Sequence, residues 1–144
     1  MPIRNANYHD APTIKTLLET LGYKTTCSII VNQLEIMFGR DDHHVFVYEI
    51  EKEVVGFVSV HYLPELAIDG CLAVITYLSV DETVKDAGIA QALERYVTEQ
   101  AKSKKCERIQ VHCLDWRTPT HHFYMQQGYS EYPKYFTKKL FHSE

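Results

Sequence analysis

With 144 residues, 45% of them apolar, the chain has the length of one ordinary domain and enough hydrophobic side chains for a single core. Fifteen Lys and Arg against 19 Asp and Glu leave a formal charge of -4 without long like-charge runs, which argues against a broad nucleic-acid surface. No apolar stretch is long enough to span a bilayer and the opening Met1-Pro2-Ile3-Arg4-Asn5 lacks a signal peptide's apolar run, so a cytoplasmic protein that binds neither membrane nor nucleic acid is expected.

A short strand is expected around Ile3 to Ala6. Asp10 then offers a cap for a helix that tolerates Pro12 in its first turn and places Ile14, Leu17, Leu18 and Leu21 on one face before Gly22. A second helix, about Ser28 to Phe38, has Ile30, Leu34, Met37 and Phe38 at helical spacing. Val45 to Ile50 and Val54 to His61 are rich in β-branched and aromatic residues, with a hairpin turn expected at Glu51-Lys52-Glu53. After Pro64 and a loop through Asp69-Gly70, Leu72 to Val80 reads as a central strand, apolar on both faces.

From Gly88 to about Lys102 the period changes to that of a helix. Ile89, Leu93, Tyr96, Val97 and Ala101 form its apolar stripe, and Glu94, Arg95, Glu99 and Lys102 lie elsewhere. Arg108 to Leu114 alternates Ile109, Val111 and Cys113 inward; Thr118 and Pro119 open a helix reaching Gln127, closed by Gly128; a last strand is expected over about Tyr132 to Phe141. The order β-α-α-β-β-β-α-β-α-β, without repeats or linkers, implies one α/β (α+β) domain over 1–144, a mixed sheet flanked by helices.

Cys27, Cys71, Cys106 and Cys113 have neither paired metal spacing nor the density of a disulfide scaffold, so reduced thiols are expected. Among eight histidines, His43-His44 and His121-His122 are adjacent pairs, which do not share a helix or strand face; no metal site is expected.

The most informative stretch runs from Leu78-Ser79-Val80 through Lys85-Asp86-Ala87-Gly88-Ile89-Ala90-Gln91: a strand, a turn of small residues, then a helix. Glycine at 88 and alanines at 87 and 90 let backbone N–H groups approach a phosphate, and the helix N-terminus adds partial positive charge. Many α/β proteins have such a turn for packing alone.

This segment resembles the acyl-CoA pyrophosphate loop of the GNAT superfamily of N-acetyltransferases, with Lys85, Gly88 and Ala90 at the positions of its Arg or Gln, Gly, and Gly or Ala. A second motif, Arg117-Thr118-Pro119-Thr120-His121-His122-Phe123-Tyr124 followed by Gly128-Tyr129, resembles the late helix of one GNAT subgroup. The resemblance covers nearly the whole chain. It implies a GNAT fold and acetyl-CoA as co-substrate without a metal, and by direct attack of the acceptor, the transfer of acetyl to a primary amine. Leu78, Ser79, Val80, Lys85, Asp86, Ala87, Gly88, Ile89, Ala90, Gln91 and Arg117 would bind acetyl-CoA. A backbone N–H within Leu78 to Val80 would polarise the thioester carbonyl, and Tyr124 would protonate the departing thiolate. Similar proteins are commonly homodimers.

Two departures stand out. Asp86 puts an acid beside the expected pyrophosphate, and Val74 stands where many relatives carry a Glu base. The base is therefore open among His112, His61 and Asp115. Cys113 or Cys106 as a nucleophile is the weaker chemistry, because an inward thiol away from cations keeps a high pKa. A non-catalytic acyl-CoA sensor or an interaction domain on the same fold is the alternative reading.

Overall fold

The computed structural model describes residues 2–112, 118–131 and 136–141, in two compact units, Met1–Leu114 and Asp115–Glu144. In the first unit the elements are β1 (Ile3–Asn5), a 3-10 turn (Tyr8–Asp10), α1 (Ala11–Thr20), α2 (Cys27–Met37), β2 (His43–Ile50), β3 (Glu53–Pro64), β4 (Cys71–Val80), a second 3-10 turn (Glu82–Ala87), α3 (Ile89–Ser103) and β5 (Cys106–Val111). The second unit holds α4 (Thr118–Gln126). Residues 136–141 adopt no regular secondary structure and 132–135 lie outside the described residues, so the expected last strand is not among those described.

The sheet runs β1-β2-β3-β4-β5, antiparallel throughout except for the parallel pair β4-β5, which α3 connects. Glu51 and Lys52 form the β2-β3 turn, both with positive φ (49° and 67°), which gives the hairpin the twist its strands require. Phe57 and Val58 are neighbours on β3 and enter different clusters, as alternation demands. Phe57 and Val47 meet Ile14, Leu17 and Leu18 of α1 and Ile30 and Leu34 of α2; Val58, Val60 and Ile75 meet Ile89, Leu93 and Val97 of α3.

Three expectations change. Asp10 does not cap α1 with its side chain; its carboxylate accepts from the Asn7 N–H at 2.8 Å and from Arg4, so that Asn7 and Asp10 form a capping box on the 3-10 turn. Glu94, expected outside the apolar stripe, is buried, and Thr98 donates to its Oε2 at 2.9 Å, because a carboxylate with a local donor survives beside Leu93 and Val97. Cys71 and Cys106, expected as thiols, are joined in a disulfide. They are direct partners in the β4-β5 ladder, with Cα atoms 4.3 Å apart, and Gly70 lets the chain pass so close to the Lys105 carbonyl that a Cβ there would collide with it. Both cysteines are 35 residues apart in sequence, where spacing rules carry no signal.

Leu93 is fully buried between α3 and the sheet. Leu93→Ala should cost about 2–5 kcal/mol, read as a lower urea midpoint with an unchanged slope; an unmoved midpoint would show that α3 does not anchor this face.

Candidate functional site: the open edge of β4

β4 is paired with β3 along its whole length but, among the described residues, with β5 only from Cys71 to Ile75. Just past β5 the His112 N–H, at the end of the described residues there, donates to the Ile75 carbonyl at 3.0 Å. There the β3-β4 register slips: Ser59 faces Tyr77 and Val60 faces Ile75, leaving Thr76 as the extra residue of a bulge. Beyond it Thr76, Tyr77 and Leu78 are half-buried in a strand whose other residues from Leu72 onward are buried.

Hydrogen-bond direction alternates along an antiparallel strand. The Asp81 N–H donates to the Val55 carbonyl at 2.7 Å, toward β3. Ser79 and Tyr77 therefore also face β3, and the amides of Leu78 and Val80 point to the edge that β5 has left. The Ser79 hydroxyl is engaged elsewhere, donating to the Leu17 carbonyl of α1 at 2.9 Å. Of the Leu78-Ser79-Val80 set, the structure thus turns two backbone amides outward and spends the serine on packing.

After β4 the chain forms the 3-10 turn Glu82–Ala87, started by Asp81, whose Oδ1 accepts from the Thr83 N–H and hydroxyl, both at 2.9 Å. Gly88 follows at φ 76°, left-handed, with open space where a Cβ would stand. The first backbone bond of α3 is the Ala92 N–H on the Gly88 carbonyl, so the amides of Ile89, Ala90 and Gln91 occupy a first turn without intrahelical acceptors. Their dipole favours an anion, and they lie at the end of the open edge. The backbone of Lys85, Asp86 and Ala87 belongs to the 3-10 turn. Their side chains, like Cys113, Asp115 and Arg117 as a whole, lie outside the described residues.

A second concavity, about 690 Å³, is lined by Arg4, Asn7, Asp10, Thr13, Lys52 and Asp81, among others. Two of its charges, Arg4 and Asp10, are spent on each other. Arg4 donates to Asp10 at 2.8 and 3.0 Å and to Glu49 at 3.3 and 3.4 Å. Burial raises the Asp10 pKa, but hydrogen bonds from Arg4 and Asn7 outweigh it and hold the carboxyl below its usual range.

Sequence reasoning missed one cluster. His43 and His61 are opposite each other in the β2-β3 ladder, with Nδ1 atoms 2.5 Å apart. Burial, then the neighbouring His43, pushes the His61 pKa down. His44 points to the other face, stacked on Phe46, and its pKa is pushed down by burial and then by Lys104. Only pairing could reveal the His43-His61 contact, since the two are 18 residues apart. Among the described residues no group of three or more His, Cys, Asp or Glu is arranged to hold a metal ion.

In the second unit, α4 carries Phe123 and Tyr124, rings 5.2 Å apart, and Tyr124 is half-buried with Tyr129 at 5.6 Å. The Tyr129 N–H returns to the Tyr124 carbonyl at 3.1 Å as the helix closes at Gly128.

Residues 12–129 match the model of the acetyltransferase (GNAT) family. The fold is similar to a putative acetyltransferase from Agrobacterium tumefaciens (18% identity, 96% of this chain and 99% of that one, TM-score 0.83) and to a transcriptional regulator from Bacillus halodurans (19%, 96% and 98%, 0.82). It is also similar to an aminoglycoside 6′-N-acetyltransferase from Acinetobacter haemolyticus (14%, 97% and 99%, 0.79). No curated protein is a significant match.

His44 and His61 resist protonation in the folded state, so as pH falls below the ordinary histidine value of 6.5 the unfolded chain takes up protons first. Their contribution to stability is complete above that value and is lost as pH falls through the folded values. Melting temperature should drop between about pH 7 and about pH 5, and His61→Asn should flatten part of that slope; an identical slope in the variant would remove His61 from the account.

Proposed function

This chain belongs to the GNAT family of acetyltransferases, and on that premise we propose that it transfers an acetyl group from acetyl-CoA to a primary amine of a small molecule or peptide by direct attack. The observation that carries the reading is the open edge of β4 leading to the first turn of α3. An acyl-pantetheine arm can hydrogen-bond to a strand that has lost its neighbour, and a pyrophosphate suits a helix N-terminus entered through Gly88. Much of the fit in this reading is made by backbone, which suits the small residues Ala87, Gly88 and Ala90.

In this reading one of the outward amides, Leu78 or Val80, polarises the thioester carbonyl and stabilises the oxyanion as the amine adds, and the other bonds the acyl-pantetheine arm. Lys85, Gly88, Ile89, Ala90 and Gln91 hold the pyrophosphate, with Asp86 and Ala87 in the same turn, and Arg117 supplies a fork of donors to a phosphate or to a substrate carboxylate. Tyr124, neutral at pH 7 as a phenol of pKa about 10, protonates the thiolate. The family match crosses the boundary at residues 114 and 115, which supports one domain over 1–144. A homodimer accords with the family resemblance. No described helix is long and apolar enough to cross a membrane, which accords with a cytoplasmic protein.

A second reading, an acyl-CoA-binding domain without turnover, is favoured by Val74, which leaves β4 without the carboxylate base that many relatives resembling this chain carry. Both readings require acetyl-CoA to bind; only the first requires an amine to be consumed.

Acetyl-CoA at about one hundred times its dissociation constant should add about 2.7 kcal/mol of stability, seen as a rise in melting temperature. No rise at about 1 mM acetyl-CoA would defeat both readings. With an amine that is turned over, Tyr124→Phe should lower kcat by about 10²-fold or more while keeping the acetyl-CoA shift. Loss of that shift would assign Tyr124 to binding, and an unchanged kcat would end its role as acid.

A further inference from the structure

His43 and His61 face each other on the sheet side that α1 and α2 cover, the side of Val47 and Phe57. With their Nδ1 atoms 2.5 Å apart, two lone pairs or two N–H groups would repel, so a single proton lies between them. Behind His43, its Nε2 is 3.5 Å from Asp42 Oδ1, and the Asp42 carboxylate is gripped by the Arg40 guanidinium at 3.2 and 3.3 Å. A neutral His43 with its hydrogen on Nε2, toward Asp42, offers a lone pair at Nδ1. His61 then carries its hydrogen on Nδ1 and its lone pair on Nε2.

On its other side His61 is level with Val74 of β4, one residue before Ile75, where β4 and β5 part. The apolar Val74 gives β4 no base at this level. His61 on β3 and Gln110 on β5 are its level neighbours, and His112 follows two residues past Gln110, its N–H on the Ile75 carbonyl. The groups acting on His61 are His43 and His112, which disfavour its cation, and Asp42, which favours it. His44 lies on the opposite face against Phe46 and Tyr62 and takes no part.

We infer that the His61-His43-Asp42 chain accepts the proton of the attacking amine, a role that rests on the acetyl-transfer reading above. The alkylammonium gives one proton, through water, to Nε2 of His61. The Nδ1 proton of His61 passes to Nδ1 of His43, and Asp42 holds the resulting imidazolium. The neutral amine then forms the C–N bond to the thioester carbonyl carbon, and the C–S bond breaks with its electron pair on sulfur. The thiolate takes the proton of Tyr124, and the second amine proton, lost as the amide forms, restores that hydroxyl. Val74 and Leu78 are four residues apart on β4, about 13 Å at about 3.3 Å per residue, so water must span the gap and His61 is a relay rather than a residue touching the acyl carbon.

Three readings on the full chain test this. First, the histidine imidazoles are followed by NMR from about pH 5 to about pH 8, with and without acetyl-CoA as the only added molecule. His61 should resist protonation, as its burial and the neighbouring His43 dictate, and His61→Asn should shift the His43 ring resonances, because the two Nδ1 atoms are in contact. Second, saturating acetyl-CoA should move the His61 resonances. Third, with an amine that the wild type turns over, His61→Asn should lower kcat at pH 7 by about 10²-fold, less at higher pH, without changing the acetyl-CoA melting shift. His43 resonances indifferent to His61→Asn, a His61 signal indifferent to bound acetyl-CoA, or an unchanged kcat would each overturn the relay while leaving acetyl transfer standing. Absence of an acetyl-CoA melting shift in the wild type would instead remove the acetyl-transfer reading, and the relay with it.

Discussion

A strand in the interior of a sheet normally spends both rows of its backbone hydrogen bonds on its neighbours, and among the described residues β4 does so only as far as Ile75. Past the Thr76 bulge one row remains committed to β3 and the other is released, with the amides of Leu78 and Val80 turned into the gap. Leaving such groups unpaired in a dry interior would cost on the order of 1–3 kcal/mol each, so an edge of this kind persists where water or a ligand satisfies it. The rest of the first unit serves that edge. The disulfide between Cys71 and Cys106 and the ladder to Ile75 close one end of the β4-β5 pair, and α3 connects the two strands with its own N-terminus at the other end.

The two faces of the sheet divide the remaining work. On the α3 side, Leu93, Val97 and Ile89 lock the helix to Val58, Val60 and Ile75, which fixes where its first turn points. On the α1-α2 side, Ser79 is tied to the Leu17 carbonyl and Phe57 and Val47 fill the core, but toward the ends of β2 and β3 the apolar row gives way to His43 and His61. The polar groups near the start of the chain form a self-contained cluster around Arg4, whose guanidinium stays protonated against Asp10 and Glu49. Arg4, Asp10 and Glu49, matched in this way, are poor recognition elements for a ligand in the concavity beside them.

Helices α1, α2 and α3 were legible from apolar spacing, and α4 from Thr118, Pro119 and Gly128, each to within a residue or two, and the β2-β3 hairpin from its polar turn. The turn at Gly88 and the late helix were legible because small residues and a Phe-Tyr pair stand at family spacings. Contacts made by pairing were not legible. Cys71 meets Cys106 and His43 meets His61 only because strand registers place them level, and the Thr76 bulge that opens β4 has no glycine or proline to announce it. Asp10 was read as a helix cap from position alone, whereas Arg4 and the Asn7 amide, brought together by the fold, claim its carboxylate.

Amide hydrogen exchange with and without acetyl-CoA tests the central claim most directly, because it reads the backbone groups on which the site is built. Slowed exchange at Leu78 and Val80 and at Ile89, Ala90 and Gln91, with little change in β1 and β2, is the result expected of a co-substrate lying along the open edge and ending at α3. Protection confined to the residues around Arg4 and Asp10, or none at Leu78 to Gln91 under saturating acetyl-CoA, would contradict it.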